Sequence, residues 1–158
     1  MSWAGAALAR SGATTLEPNR AWTEVADLDA CLVLHDALCP LTPAAFIADL
    51  VERAAESGAV VVGVQPVTDT IKAVDDGQVV ETMDRLALWE VVSPLVLPAP
   101  VVRSCEDWPA TRSLARMFAD LATAFAVRMV EAPAAARRVD DESALRLHEA
   151  YAQVSGPL

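Results

Sequence analysis

The residues with chemical potential stand where apolar runs stop. His35 and Asp36 follow Leu32-Val33-Leu34 directly, and the chain turns at Pro40. In open parallel sheets, ligands bind outside the carboxyl ends of the strands, so an ionisable pair there is well placed. A carboxylate at that point can hold a divalent cation such as Mg2+ or a sugar hydroxyl. The plainer alternative is that Asp36 caps the turn into Pro40 while His35 packs. A second set, Thr70, Lys72 and Arg85, lies on or beside a hairpin-like segment. A hydroxyl with a guanidinium suits a phosphate, because arginine offers a planar fork of donors. The alternative there is a solvated hairpin in which Asp84 and Arg85 pair with each other.

Other chemistries find no footing in these 158 residues. The six glycines are scattered singly, so neither GxGxxG nor GxxxxGK[ST] occurs, and there is no GxSxG elbow. Cys31, Cys39 and Cys105 are odd in number and lack metal-ligand spacing. They read as reduced, mostly buried thiols of a cytoplasmic protein. His35 and His148 are the two histidines, far apart, which excludes a histidine-rich metal site. A net charge of −10 repels phosphate backbones and anionic lipid, so neither nucleic acid nor a membrane surface is an expected partner. The most apolar stretch, Leu86 to Val102, is broken by Glu90, Pro94, Pro98 and Pro100 and is not expected to span a membrane. The opening residues lack a basic leader and read as mature protein.

The elements that would position these groups follow from periodicity. A short helix is expected around Arg20 to Ala26, then a strand from Cys31 to His35, apolar at nearly every position. Thr42-Pro43 opens a helix, with Thr42 as cap, and Phe46, Ile47, Leu50, Val51 and Ala54 form its apolar stripe. Gly58 ends it, and Ala59 to Val67 is a second buried strand. Strand, helix, strand at this spacing implies a βαβ unit with parallel pairing. Asp76-Gly77 between two extended segments predicts a β-hairpin over 67–86, inserted in a single domain spanning 1–158. A third core strand covers Leu88 to Pro94. A helix starts at Asp107 or Thr111 with the stripe Leu114, Met117, Phe118, Leu121, Ala122 and Phe125. A short strand near Phe125–Pro133 and a closing helix from about Glu142 to Gln153 complete one α/β layer structure.

The order of these pieces resembles a known family. LVLHDALCP, VQPVTDTIKAV and TMDRLALWEVVSP are similar to the VHDAARP, PVxDTIK and DRxxLWxxxTPQ segments of the methylerythritol-phosphate cytidylyltransferases. More loosely, Ser11 to Trp22 resembles a GGxxRxxSVxxGL piece, and ARRVDDESALRLHEAY resembles the closing helix of those enzymes. The resemblance implies a nucleotidyltransferase-like (Rossmann-like) α/β fold with a mostly parallel sheet and a protruding β-hairpin arm. It implies that the arm embraces a second subunit, either another copy or a full-length homologue. Thr70 and Arg85 match positions that help bind a sugar phosphate across the dimer. Asp36 matches an aspartate associated with substrate and metal, Ser93 stands where the family has a threonine, and Arg138 stands near a late active-site lysine.

The departures matter as much. The family's PAAGxGxRM loop and following lysine, which surround the triphosphate, have no match here, and the resemblance covers the later part of a family chain. Cys39 replaces the arginine of VHDAARP, Thr15 the arginine of the GGxxR piece, and Pro18 its serine. Phosphoryl transfer rests on positioning and charge stabilisation. The expectation is therefore a protein that is not an enzyme on its own and dimerises through its arm. One alternative is a subunit that transfers CMP to a sugar or polyol phosphate only with a partner chain. The other is a sensor that binds a phosphorylated sugar or polyol.

Overall fold

The computed structural model describes residues 8–17, 19–67, 72–75, 78–82 and 88–139, with residues 146 and 150. The expected closing helix, Thr70, Arg85 and the Asp76-Gly77 turn lie outside the described residues. Helix α1 (Trp22–Ala26) leads to β1 (Leu32–Leu34), α2 (Ala44–Ser57) and β2 (Val60–Pro66). Strands β3 (Lys72–Asp75) and β4 (Gln78–Thr82) follow, then β5 (Trp89–Leu97), α3 (Ala99–Ser104), α4 (Leu114–Ala122), β6 (Val127–Glu131) and a 3-10 turn at Ala134–Ala136.

Four strands form one sheet in the order β1-β5-β2-β6. β6 is parallel to β2, whereas β5 is antiparallel to both β1 and β2. Three of the four strands therefore share a direction. The expected direct pairing of β1 with β2 does not occur, because β5 enters between them. Its apolar run extends past Pro94 to Leu97, so it is long enough to cover both neighbours. β3 and β4 form a separate two-stranded antiparallel sheet with Asp75 opposite Gln78, as the hairpin reading expects.

The sheet is apolar on both faces, and its pleat divides the core in two. Val60, Val62, Val64, Leu95 and Leu97 face a cluster completed by Trp22, Val25, Val101 and Val102. Val61 and Val96 face Leu50 and Ala54 of α2. Leu50 is fully buried, which contributes roughly 1.5–3 kcal/mol at that one side chain. Gly58 closes α2 in the left-handed region, at φ 65°, and its N–H donates to the Ala54 carbonyl at 2.9 Å. The expected Thr42 cap is not made. Thr42 is buried and its hydroxyl donates to the Cys39 carbonyl, leaving Pro43 at the helix start. Helix α4 lays Leu114, Met117, Phe118 and Leu121 against the first cluster, yet none of its residues is buried. Its start is Ser113, whose hydroxyl accepts from the Arg116 N–H, later than the expected Asp107 or Thr111.

Candidate functional site

A bulge in β5 builds the site. Val62 opposes Leu95, but the next residue of β2, Gly63, opposes Val92, so Ser93 and Pro94 have no partner on β2. On the other side, Leu34 opposes Leu95 and the ladder with β1 ends there. Pro94 has no N–H to continue it. A bulge re-aims side chains next to functional sites, and here it sends the Ser93 hydroxyl toward the end of β1. The Asp36 N–H donates to Ser93 Oγ at 2.9 Å, and Ser93 Oγ lies 2.5 Å from His35 Nδ1. Ser93 is 0% exposed, so its hydroxyl proton must find an acceptor inside the protein. His35 Nδ1 is that acceptor, which leaves the imidazole proton on Nε2, a buried atom with no hydrogen-bond partner among the described residues. Burial pushes the His35 pKa down, against a smaller upward pull from Asp36.

The loop after β1 fixes the carboxylate. Asp36 Oδ1 accepts from the Leu38 N–H at 2.9 Å, and the Asp36 carbonyl accepts from the Cys39 N–H at 2.9 Å. Arg138 donates to Asp36 Oδ2 in an ion pair. Beside that pair, the Val139 N–H donates to the Leu38 carbonyl at 2.7 Å, which ties the segment after β6 to this loop. Cys39 lies beneath, buried, and desolvation pushes its thiol up to about 11. It is neutral at physiological pH.

Both oxygens of Asp36 thus face donors of the chain itself. A divalent cation wants several oxygens and no guanidinium beside it. No group of three or more His, Cys, Asp or Glu capable of holding a metal occurs among the described residues. As it stands, the Asp36 site fits a guanidinium and not a resident Mg2+.

Three of the residues singled out in the sequence, Asp36, Ser93 and Arg138, meet in this cluster. Thr70 and Arg85 fall outside the described residues, and Lys72 is placed only as the first residue of β3. The coupling of Ser93 to His35 was not foreseen; the available signal was the serine before Pro94, on the strand that faces the end of β1. Alongside β1 runs a groove of about 1140 Å3, lined by residues 30–37 on one side and by Leu16, Trp108, Leu114 and Met117 among others. Its charged side chains are Arg20, Arg112, Arg138 and Asp36. No helix among the described residues is long and apolar enough to cross a membrane.

A mixed sheet covered by helices on both faces, with a polar cluster at a strand end and a hairpin between β2 and β5, defines a nucleotidyltransferase-like α/β protein. The chain belongs to the 2-C-methyl-D-erythritol 4-phosphate cytidylyltransferase (IspD) family, whose model matches residues 12–152. It is 39% identical over 71 residues to such an enzyme of Bacillus licheniformis, covering 45% of this chain and 30% of the relative. It is 42% identical over 72 residues to that of Syntrophotalea carbinolica, covering 46% and 30%. The matched segments therefore span under a third of the length of those relatives. Among solved structures, the cytidylyltransferase of Thermus thermophilus superposes with a TM-score of 0.68 at 22% identity, covering 96% of this chain and 87% of that one. The 4-diphosphocytidyl-2C-methyl-D-erythritol synthase of Anaerococcus prevotii gives 0.60 at 15% identity, covering 88% and 62%. At such identities the superpositions establish the shared fold.

Proposed function

We propose that this 158-residue chain is a cytidylyltransferase-family protein that does not transfer a nucleotide by itself. In this reading it pairs through its 67–86 arm with another copy or with a full-length homologue, in the cytoplasm. It keeps the sugar-phosphate side of a pocket at Asp36, Ser93 and Arg138, with Thr70 and Arg85 contributed by the arm. The observation that carries the reading is the Asp36–Arg138 ion pair, in which the one carboxylate of the cluster is neutralised within the chain. A group that must meet a cation or a hydroxyl in a transition state is here spent on a neighbour. Cys39 adds to this. It stands at the position of a family arginine, and a neutral thiol supplies no charge to a departing pyrophosphate. Loss of one such donor costs on the order of a hundredfold to a thousandfold in turnover. The three unpaired thiols support a reducing compartment.

The test is pyrophosphate release from CTP and 2-C-methyl-D-erythritol 4-phosphate. The purified chain is expected to stay at background, and ordinary enzymatic turnover without a companion overturns the reading. Light scattering after size exclusion is expected to give a dimer. A second reading, a subunit active only with a partner chain, is favoured by Arg112, which lines the groove in addition to the Arg20–Glu24 and Arg138–Asp36 pairs. Release seen only in a mixture with a full-length homologue would establish it in place of the first.

A further inference from the structure

Trp108 is a large apolar side chain held at the surface rather than left there. Its indole N–H donates to the Arg20 carbonyl at 2.8 Å, and its ring meets Trp22 edge to face with centroids 5.0 Å apart. It is nevertheless 36% exposed, and Leu28 is 48% exposed. Both border the groove beside β1, where the half-buried Leu16, Leu34, Leu114 and Met117 join them around about 1140 Å3. Scattered apolar residues at a surface need no explanation, but a contiguous apolar lining marks a binding site. The groove follows residues 30–37 in succession, so it is long rather than round.

The charged groups of the groove are not equivalent. Arg20 is held by Glu24 at 3.1 Å, and Arg138 is held by Asp36. Arg112 is exposed and makes no ion pair among the described residues. One free guanidinium over apolar walls sets the chemistry of an occupant. A polyphosphate asks for several cations at once, and a neutral hydrocarbon leaves the guanidinium unused. An anion with an apolar chain suits both parts. A net charge of −10 repels anionic bilayers, so the occupant comes as a single molecule and not as a membrane surface. The space exceeds the roughly 300–1,000 Å3 usual for small ligands, which leaves room for water on the open edge of β1 beside the occupant. We propose that the groove binds one amphiphilic anion of the long-chain carboxylate kind, with its apolar chain on Leu16, Leu28, Trp108 and Met117 and its head on Arg112. This holds whether or not the chain takes part in nucleotidyl transfer.

The probe is decanoate, kept below its micellar concentration and titrated into the full chain by calorimetry. One saturable site per chain is expected. Arg112→Ala removes a charge-assisted hydrogen bond, so it should weaken decanoate by about tenfold and leave the weaker binding of decanol unchanged. Leu28→Glu sets a like charge beside the ligand at an exposed position, and it should weaken decanoate at least as much. Both substitutions are at exposed residues, and unchanged circular dichroism shows that the fold is kept. A brominated decanoate should quench tryptophan fluorescence, and less so in Trp108→Phe. Vesicles of anionic phospholipid should not bind. Absence of decanoate binding, binding that does not saturate, or equal affinities for the parent chain and Arg112→Ala overturn the proposal. Binding to the vesicles overturns the single-molecule source. A dimer that Leu28→Glu dissociates also overturns it, because a second copy then covers the groove.

Discussion

Replacing Ser93 by alanine isolates what the bulge contributes. The change removes one oxygen from a fully buried position, so the cavity left is small and the polar terms decide the outcome. Two groups lose their partner: the Asp36 N–H, which donates to Oγ at 2.9 Å, and His35 Nδ1, 2.5 Å away. Leaving a buried polar group unsatisfied costs about 1–3 kcal/mol each. The Asp36 amide is only partly buried and can recover some of this from water, so the sum expected for Ser93→Ala is about 2–3 kcal/mol. Urea unfolding followed by circular dichroism measures it. With a slope of about 1–3 kcal/mol per molar, the midpoint should fall by roughly 0.7–3 M at constant slope. The same change made in a His35→Phe background should cost less by about 1 kcal/mol, because residues in contact couple by 0.5–3 kcal/mol. A loss below about 0.5 kcal/mol, or equal losses in both backgrounds, would show that the serine–histidine contact carries no energy, and the bulge would then need another reason to aim its hydroxyl at β1.

Acid should weaken the protein before its carboxylates titrate. The His35 pKa is held below the ordinary 6.5 by burial, so the unfolded chain binds a proton first; stability is complete above that value and falls as pH drops through the window below it. Melting temperatures at pH 7.5 and 5.5 should differ, and His35→Gln should flatten the difference. Cys39, raised to about 11 and buried, should be the last thiol alkylated by iodoacetamide at pH 8, after the half-buried Cys31 and Cys105, as read by peptide mass spectrometry. Gly63→Ala should destabilise by about 1–3 kcal/mol in the same urea assay, because its Cβ would sit 3.2 Å from Phe46 Cε1, and Phe46→Leu should recover part of the loss.

Local signals carried much of the fold. The valine run of β2 announced a strand covered on both sides, and Gly58 announced a helix end, since only these residue types suit those backbones. Where the sequence misled, tertiary geometry had overridden a local preference. Thr42 before Pro43 has the chemistry of a cap, but the turn at Cys39 draws its hydroxyl inward. The intrusion of β5 between β1 and β2 depends on pairing across some sixty residues, which periodicity does not record. The site was legible in part. Asp36 stands out by its place at a strand end, Ser93 and Arg138 only by resemblance to the family, and nothing in their spacing says that they touch. Ser93 owes its aim to a shift of register, and Arg138 owes its place to a backbone bond between Val139 and Leu38. Neither leaves a pattern in residue type.

The Asp36–Arg138 contact also sets a schedule. Its partners are 102 positions apart, so closing that loop is among the costliest entropic steps available to the chain. During synthesis the aspartate leaves the ribosome well before the arginine exists. In that interval β1, α2, β2 and β5 can already assemble, while Oδ2 of the carboxylate stays in water and the Leu38 carbonyl waits for the Val139 N–H. The arginine side of the pocket is thus a late product of folding, a clasp closed after the body is built, and a ribosome stalled before residue 138 would hold a nascent protein with much of its core and the serine–histidine contact but no partner for Oδ2 of the aspartate.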